Sequence, residues 1–69
     1  MTNTYLLEEY IKKSGYKRSH IAKKIGLSAY GLALKVNGTN EFKQSEIDGL
    51  CKLFGITSLE ERDRIFFAN

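Results

Sequence analysis

Apolar positions recur along this chain at intervals of three and four, the period of helices that bury one face. Leu6, Leu7, Tyr10 and Ile11 form the first such stripe and predict a helix over 4–13, stopped at Ser14-Gly15. Ile21, Ala22 and Ile25 predict a second over 18–25, and Leu32 with Val36 a third over 29–36. Ile47, Leu50, Cys51 and Phe54 stand at i, i+3, i+4 and i+7 and predict a fourth over 44–54, closed by Gly55. A fifth, over 59–67, opens with Ser58 and Glu61 at capping-box spacing and ends with Ile65, Phe66 and Phe67. Asn37-Gly38-Thr39-Asn40 is a turn cluster, and Phe42 is expected to anchor the loop behind it to the core. Proline is absent, and no linker, repeat or strand pattern interrupts the helical period. The expectation is a single all-α domain of five helices over 1–69.

Within that pattern, 18–37 has the spacing of a helix-turn-helix, two short helices of which the second enters a DNA groove. Ala22 is small enough for a close crossing of the two helices. Gly26 stands where a left-handed residue usually ends a helix. Leu27 is placed to plug the gap between the helices, and Ser28 is a favoured N-cap for the next one.

On these residues the chain resembles the small phage repressors and Cro-type regulators built on a lambda-repressor-like DNA-binding domain. The resemblance is carried by Ile21-Ala22, Ile25-Gly26-Leu27-Ser28, Leu32 and Lys35-Val36-Asn37-Gly38. It continues through Glu41-Phe42, Ser45-Glu46-Ile47 and Leu50 to Ile56, and spans 6–59. It implies a compact five-helix lambda-repressor-like fold. Arg18 and Ser19 would contact phosphates, and the loop holding Asn37, Thr39 and Asn40 would touch the sugar-phosphate backbone. The chain departs from the family in having Arg18 where Gln is common, and in an unusually apolar outer face on the third helix.

Charge sharpens this picture. The chain carries +3 overall, but 10–40 holds seven basic residues and no acid, while the remainder carries a net −4. A basic block coinciding with the helix-turn-helix is the electrostatic footprint of a phosphate-binding face. Short helices also carry lysines for solubility, the reading preferred for Lys23 and Lys24.

At 100° per residue, Leu32 and Val36 face the core, and Lys35 borders them with its stem partly buried and its charge free. Tyr30, Ala33, Leu34 and Asn37 lie on the far side, with Ser28 and Ala29 at the tip, so this face is expected to meet base edges. Arg, Gln and Asn are missing from the first turn, which leaves thymine-methyl contacts by Ala29, Ala33 and Leu34 and a hydrogen bond or stack from Tyr30. Lys17 is expected on a phosphate beside Arg18, and Lys43 at the edge of the next segment. Gly31 fits either a close approach to DNA or helix 2, or simple tolerance in mid-helix.

Other chemistry finds little support. One Cys and one His have no metal-ligand spacing, and neither a catalytic pair nor a phosphate-cradling Gly loop is present, so an enzyme and a cofactor are not expected. Cys51 reads as a small core hydrophobe and His20 as a surface residue. A lone cysteine, no apolar run near the roughly 18 residues of a membrane span and no signal-like start suggest a cytoplasmic protein of a bacterial host. Phe66 and Phe67 point about 100° apart on a helix, so one of them is expected either to pack inside or to make a dimer contact.

The sequence thus leads to an expected Cro-like repressor that binds an operator in double-stranded DNA as a homodimer and acts by promoter occlusion. The alternative is an antirepressor or co-repressor that engages a partner repressor through the apolar face of the third helix.

Overall fold

In a computed structural model describing residues 1–68, the described chain is helical throughout its regular structure, in the order α1 (Thr4–Ser14), α2 (Arg18–Lys24), α3 (Ala29–Val36), α4 (Gln44–Phe54) and α5 (Leu59–Phe66). The five expected helices are present, with ends displaced by at most one residue. α1 runs on to Ser14, whose hydroxyl donates to Ile11 O at 2.7 Å and accepts from Tyr16 N–H. α2 stops at Lys24, with Ile25 as its cap.

Local chemistry sets these ends. Asn3 Oδ1 accepts from Leu6 N–H and starts α1. Ser28 Oγ accepts from Gly31 N–H at 2.9 Å and starts α3. α2 closes through Gly26 at φ +78°, where Leu27 N–H reaches back to Ala22 O at 2.8 Å and Gly26 N–H to Lys23 O. These are the paired bonds of a Schellman end, which needs the left-handed residue that glycine supplies without a Cβ clash. The expected box at α5 is only half made. Ser58 Oγ accepts from Glu61 N–H, but the Glu61 carboxylate is drawn to Tyr10 Oη and Arg64 instead of returning to the cap. A reciprocal carboxylate bond occurs at α4, where Lys43 N–H donates to Glu46 Oε1 at 2.9 Å.

The core collects Leu7 and Ile11 of α1, Ile21 and Ala22 of α2, Leu32 and Val36 of α3, Ile47 and Leu50 of α4, and Ile65 and Phe66 of α5. Phe42 is buried as expected, edge-on to Phe66 with ring centroids 5.5 Å apart, and pins the loop between α3 and α4. Phe66 is therefore a core residue and not a dimer contact; only Phe67 is left half exposed, with the Arg62 guanidinium over its ring. Two bonds tie α1 to distant elements. Thr4 Oγ1 donates to Val36 O at 2.7 Å, and Asn3 N–H donates to Ile65 O. The first holds the C-terminal end of α3 and so fixes the pose of the helix whose outer face matters below. No helix among the described residues is long and apolar enough to cross a membrane.

Candidate nucleic-acid interface

The α2–α3 unit makes the most extensive helix–helix contact in the fold. Ala22 lies fully buried in it, and a bulkier side chain would force the helices apart. Leu27 is half buried at the turn between them. With Leu32 and Val36 turned inward, α3 presents Ala29, Tyr30, Ala33 and Asn37 to solvent. Tyr30 is 74% exposed, unusually open for a large aromatic ring. Leu34 is half buried, so its side chain contributes an edge and not a protrusion.

The loop after α3 is ordered by its own polar groups. Leu34 O accepts from the N–H groups of Thr39 and Asn40, and Asn37 Oδ1 accepts from both the N–H and the hydroxyl of Thr39. Those bonds use the carbonyl end of the Asn37 side chain and leave its amide N–H groups, which are donors, for an outside acceptor. Ser28 is similarly half committed: its oxygen caps the helix while its O–H proton remains to be donated. Thr39, Asn40 and Lys43 are exposed beside them.

Lys17 and Arg18 stand exposed where α2 begins, with Ser19 next to them. The rings of Tyr16 and His20 lie alongside, tilted by 35° with centroids 5.2 Å apart. His20, Lys23 and Lys24 line a shallow surface depression on α2. The twelve expected contact residues thus fall on α2 and α3, the caps Lys17 and Ser28 that precede them, and the loop that follows.

Two basic side chains differ from expectation. Lys35 is not free: its Nζ donates to Glu46 Oε1 at 2.6 Å, and the pair is largely withdrawn from water. Burial pushes the Glu46 carboxyl up, but the Lys35 hydrogen bond, the Lys43 backbone N–H and the charges of both lysines outweigh it and hold the group below its ordinary value. Arg18 is also paired, through its guanidinium, with the Glu8 carboxylate of α1. The stretch of sequence without acids is therefore not acid-free in space. Glu8 and Glu9 line a groove with Ile11, Lys12, Tyr16 and Arg18. Sequence reasoning missed both carboxylates. Glu46 left a trace, since it lies one turn before Leu50 on the buried side of α4, whereas Glu8 left none.

Comparison with known proteins adds no assignment. No protein-family model matches the chain, and no significant match is found among curated proteins or solved structures. The functional reading therefore rests on geometry and charge. Among the described residues, no cluster of three or more His, Cys, Asp or Glu side chains could hold a metal ion. Cys51 is half buried, and burial pushes its thiol up, which disfavours the reactive thiolate.

Proposed function

We propose that this protein is a sequence-specific, double-stranded DNA-binding regulator of transcription, a Cro-like repressor of lambda-repressor-like type that acts by occluding a promoter. The observation that carries the reading is the two-faced character of α3. Leu32 and Val36 lock it to the core, while Ala29, Tyr30, Ala33 and Asn37 are exposed, on a helix preceded in the chain by the basic start of α2 and followed by a loop rich in donors. In a complex, α3 lies in the major groove. Ala29, Ala33 and the edge of Leu34 meet thymine methyls, Tyr30 and Ser28 donate to bases or phosphates, and Asn37 donates its amide N–H groups. Lys17, Arg18, Ser19, Thr39, Asn40 and Lys43 hold the backbone on either side.

One helix of two turns reads few base pairs, so a homodimer on a two-fold operator supplies the remaining specificity. Phe67, half exposed at the end of α5, is one apolar surface residue available for such a contact. The host setting is a bacterial cytoplasm, with a phage or mobile element as the source.

Selection of bound duplexes from a random pool tests the reading, with a palindromic consensus as the expected result. Anisotropy titration of the selected duplex should show affinity falling steeply with salt, and Arg18→Ala should reduce the log–log slope by about 1. Failure to prefer any duplex at modest ionic strength would overturn the assignment.

The exposed ring of Tyr30 beside Ala33 favours one other reading, docking of α3 on a partner repressor. Such an apolar contact would persist at salt concentrations that dissociate a phosphate-dependent complex.

A further inference from the structure

The pairing of Arg18 with Glu8 has a functional consequence. The Glu8 carboxylate is the anion held by the guanidinium in the free protein. A guanidinium pairs with the anionic oxygens of either a carboxylate or a phosphate. We propose that Glu8 is an internal competitor for the phosphate site of Arg18, occupying it in the free protein and displaced when a duplex binds. This inference rests on the DNA-binding reading above.

Three observations support the exchange. Both partners are roughly half exposed, with side chains at 50% and 42%, so the bond is open to an incoming anion without unfolding anything. Arg18 is the first residue of α2, immediately after exposed Lys17, so a phosphate approaching Lys17 arrives beside the occupied guanidinium. Glu8 is anchored on α1, which Thr4 Oγ1 and Asn3 N–H hold against α3 and α5, so the carboxylate stays near Arg18 after exchange. Binding therefore exchanges one charge-assisted contact for another and leaves Glu8 unpaired near the phosphate, which opposes binding twice.

Glu8→Gln keeps the shape and removes the charge. An exposed pair has modest strength, so the variant should bind the selected duplex about two- to fivefold more tightly at low salt, with the advantage shrinking as salt rises. Glu9→Gln controls for loss of a nearby negative charge, because Glu9 lines the same groove, with Glu8, Ile11, Lys12, Tyr16 and Arg18, while the ion pair of Arg18 is made with Glu8. In the Arg18→Ala background, Glu8→Gln should gain no more than Glu9→Gln does. A Glu8→Gln gain that equals that of Glu9→Gln, or that survives intact without Arg18, overturns the exchange and leaves only general repulsion. Binding by the parent protein in the same titration keeps this outcome separate from failure of the DNA-binding reading itself.

Discussion

Lys35 of α3 and Glu46 of α4 form an ion pair with Nζ and Oε1 at 2.6 Å, their side chains only 12% and 7% exposed. This bond fixes the C-terminal half of α3 from one side, while Thr4 Oγ1 fixes its last carbonyl from another. Glu46 also accepts from Lys43 N–H, so one carboxylate joins α3 to the start of α4. A buried pair of this kind contributes little net stability over apolar packing, but breaking it leaves a charge stranded. Glu46→Gln should therefore cost about 1–3 kcal/mol in urea unfolding. The double variant Lys35→Met/Glu46→Leu should recover most of that loss. A single variant as stable as the parent would show that the pair does not hold α3.

The same carboxylate makes stability depend on acid. In the unfolded chain it takes up a proton near its ordinary value of 4.5, and in the folded protein only at lower pH. The unfolded state therefore binds more protons between those values. The contribution is fully present above about pH 4.5 and drains away as pH falls through the folded value. Thermal melts from pH 7 down to pH 3 should show a fall in Tm that is shallower in Glu46→Gln.

The helical layout was legible because it depends on local rules. Stripes such as Ile47, Leu50 and Phe54, the small residue Ala22 and the stop at Gly26 each state their role within one or two turns of chain. The outer face of α3 followed from Leu32 and Val36 by the helical period alone. What escaped were relations between elements. Glu8 meets Arg18 across a turn whose direction no periodicity encodes, and Lys35 meets Glu46 across the whole α3–α4 loop. The choice between Phe66 and Phe67 needed the position of Phe42, which decides which ring finds an edge-on partner in the core.

Gly49 shows the same dependence on tertiary contact. A Cβ there would stand 2.9 Å from Cγ2 of Ile25, at the end of α2. Ile is β-branched and stiff at χ1, so this methyl has little room to move. Alanine would gain about 1 kcal/mol in helix propensity against an overpacking cost of about 1–3 kcal/mol. The rigid neighbour puts the cost toward the upper end, so Gly49→Ala should be less stable by about 1–2 kcal/mol in a denaturant melt. Gly31 is the contrasting case. Its Cβ would meet Ser28 Oγ, the cap of α3, at 3.2 Å, so a gain of about 1 kcal/mol in helix propensity is set against a strained cap worth about as much, and Gly31→Ala should unfold close to the parent.

Ala33 offers the sharpest separation between folding and recognition. It is exposed on the outer face of α3, one turn after Ala29 and three residues after Tyr30, and takes no part in the core. Ala33→Glu should therefore leave the unfolding midpoint nearly unchanged, within about 0.5 kcal/mol. In a major-groove complex the new carboxylate would be buried against base edges between two lines of phosphates, desolvated and repelled together. Duplex affinity should then fall by tenfold or more, a loss of about 1.4 kcal/mol or greater. His20→Glu places the same charge on exposed α2, outside the α3 face, and should weaken binding less. Equal losses from the two variants would mean that only net charge matters and that α3 does not enter the groove.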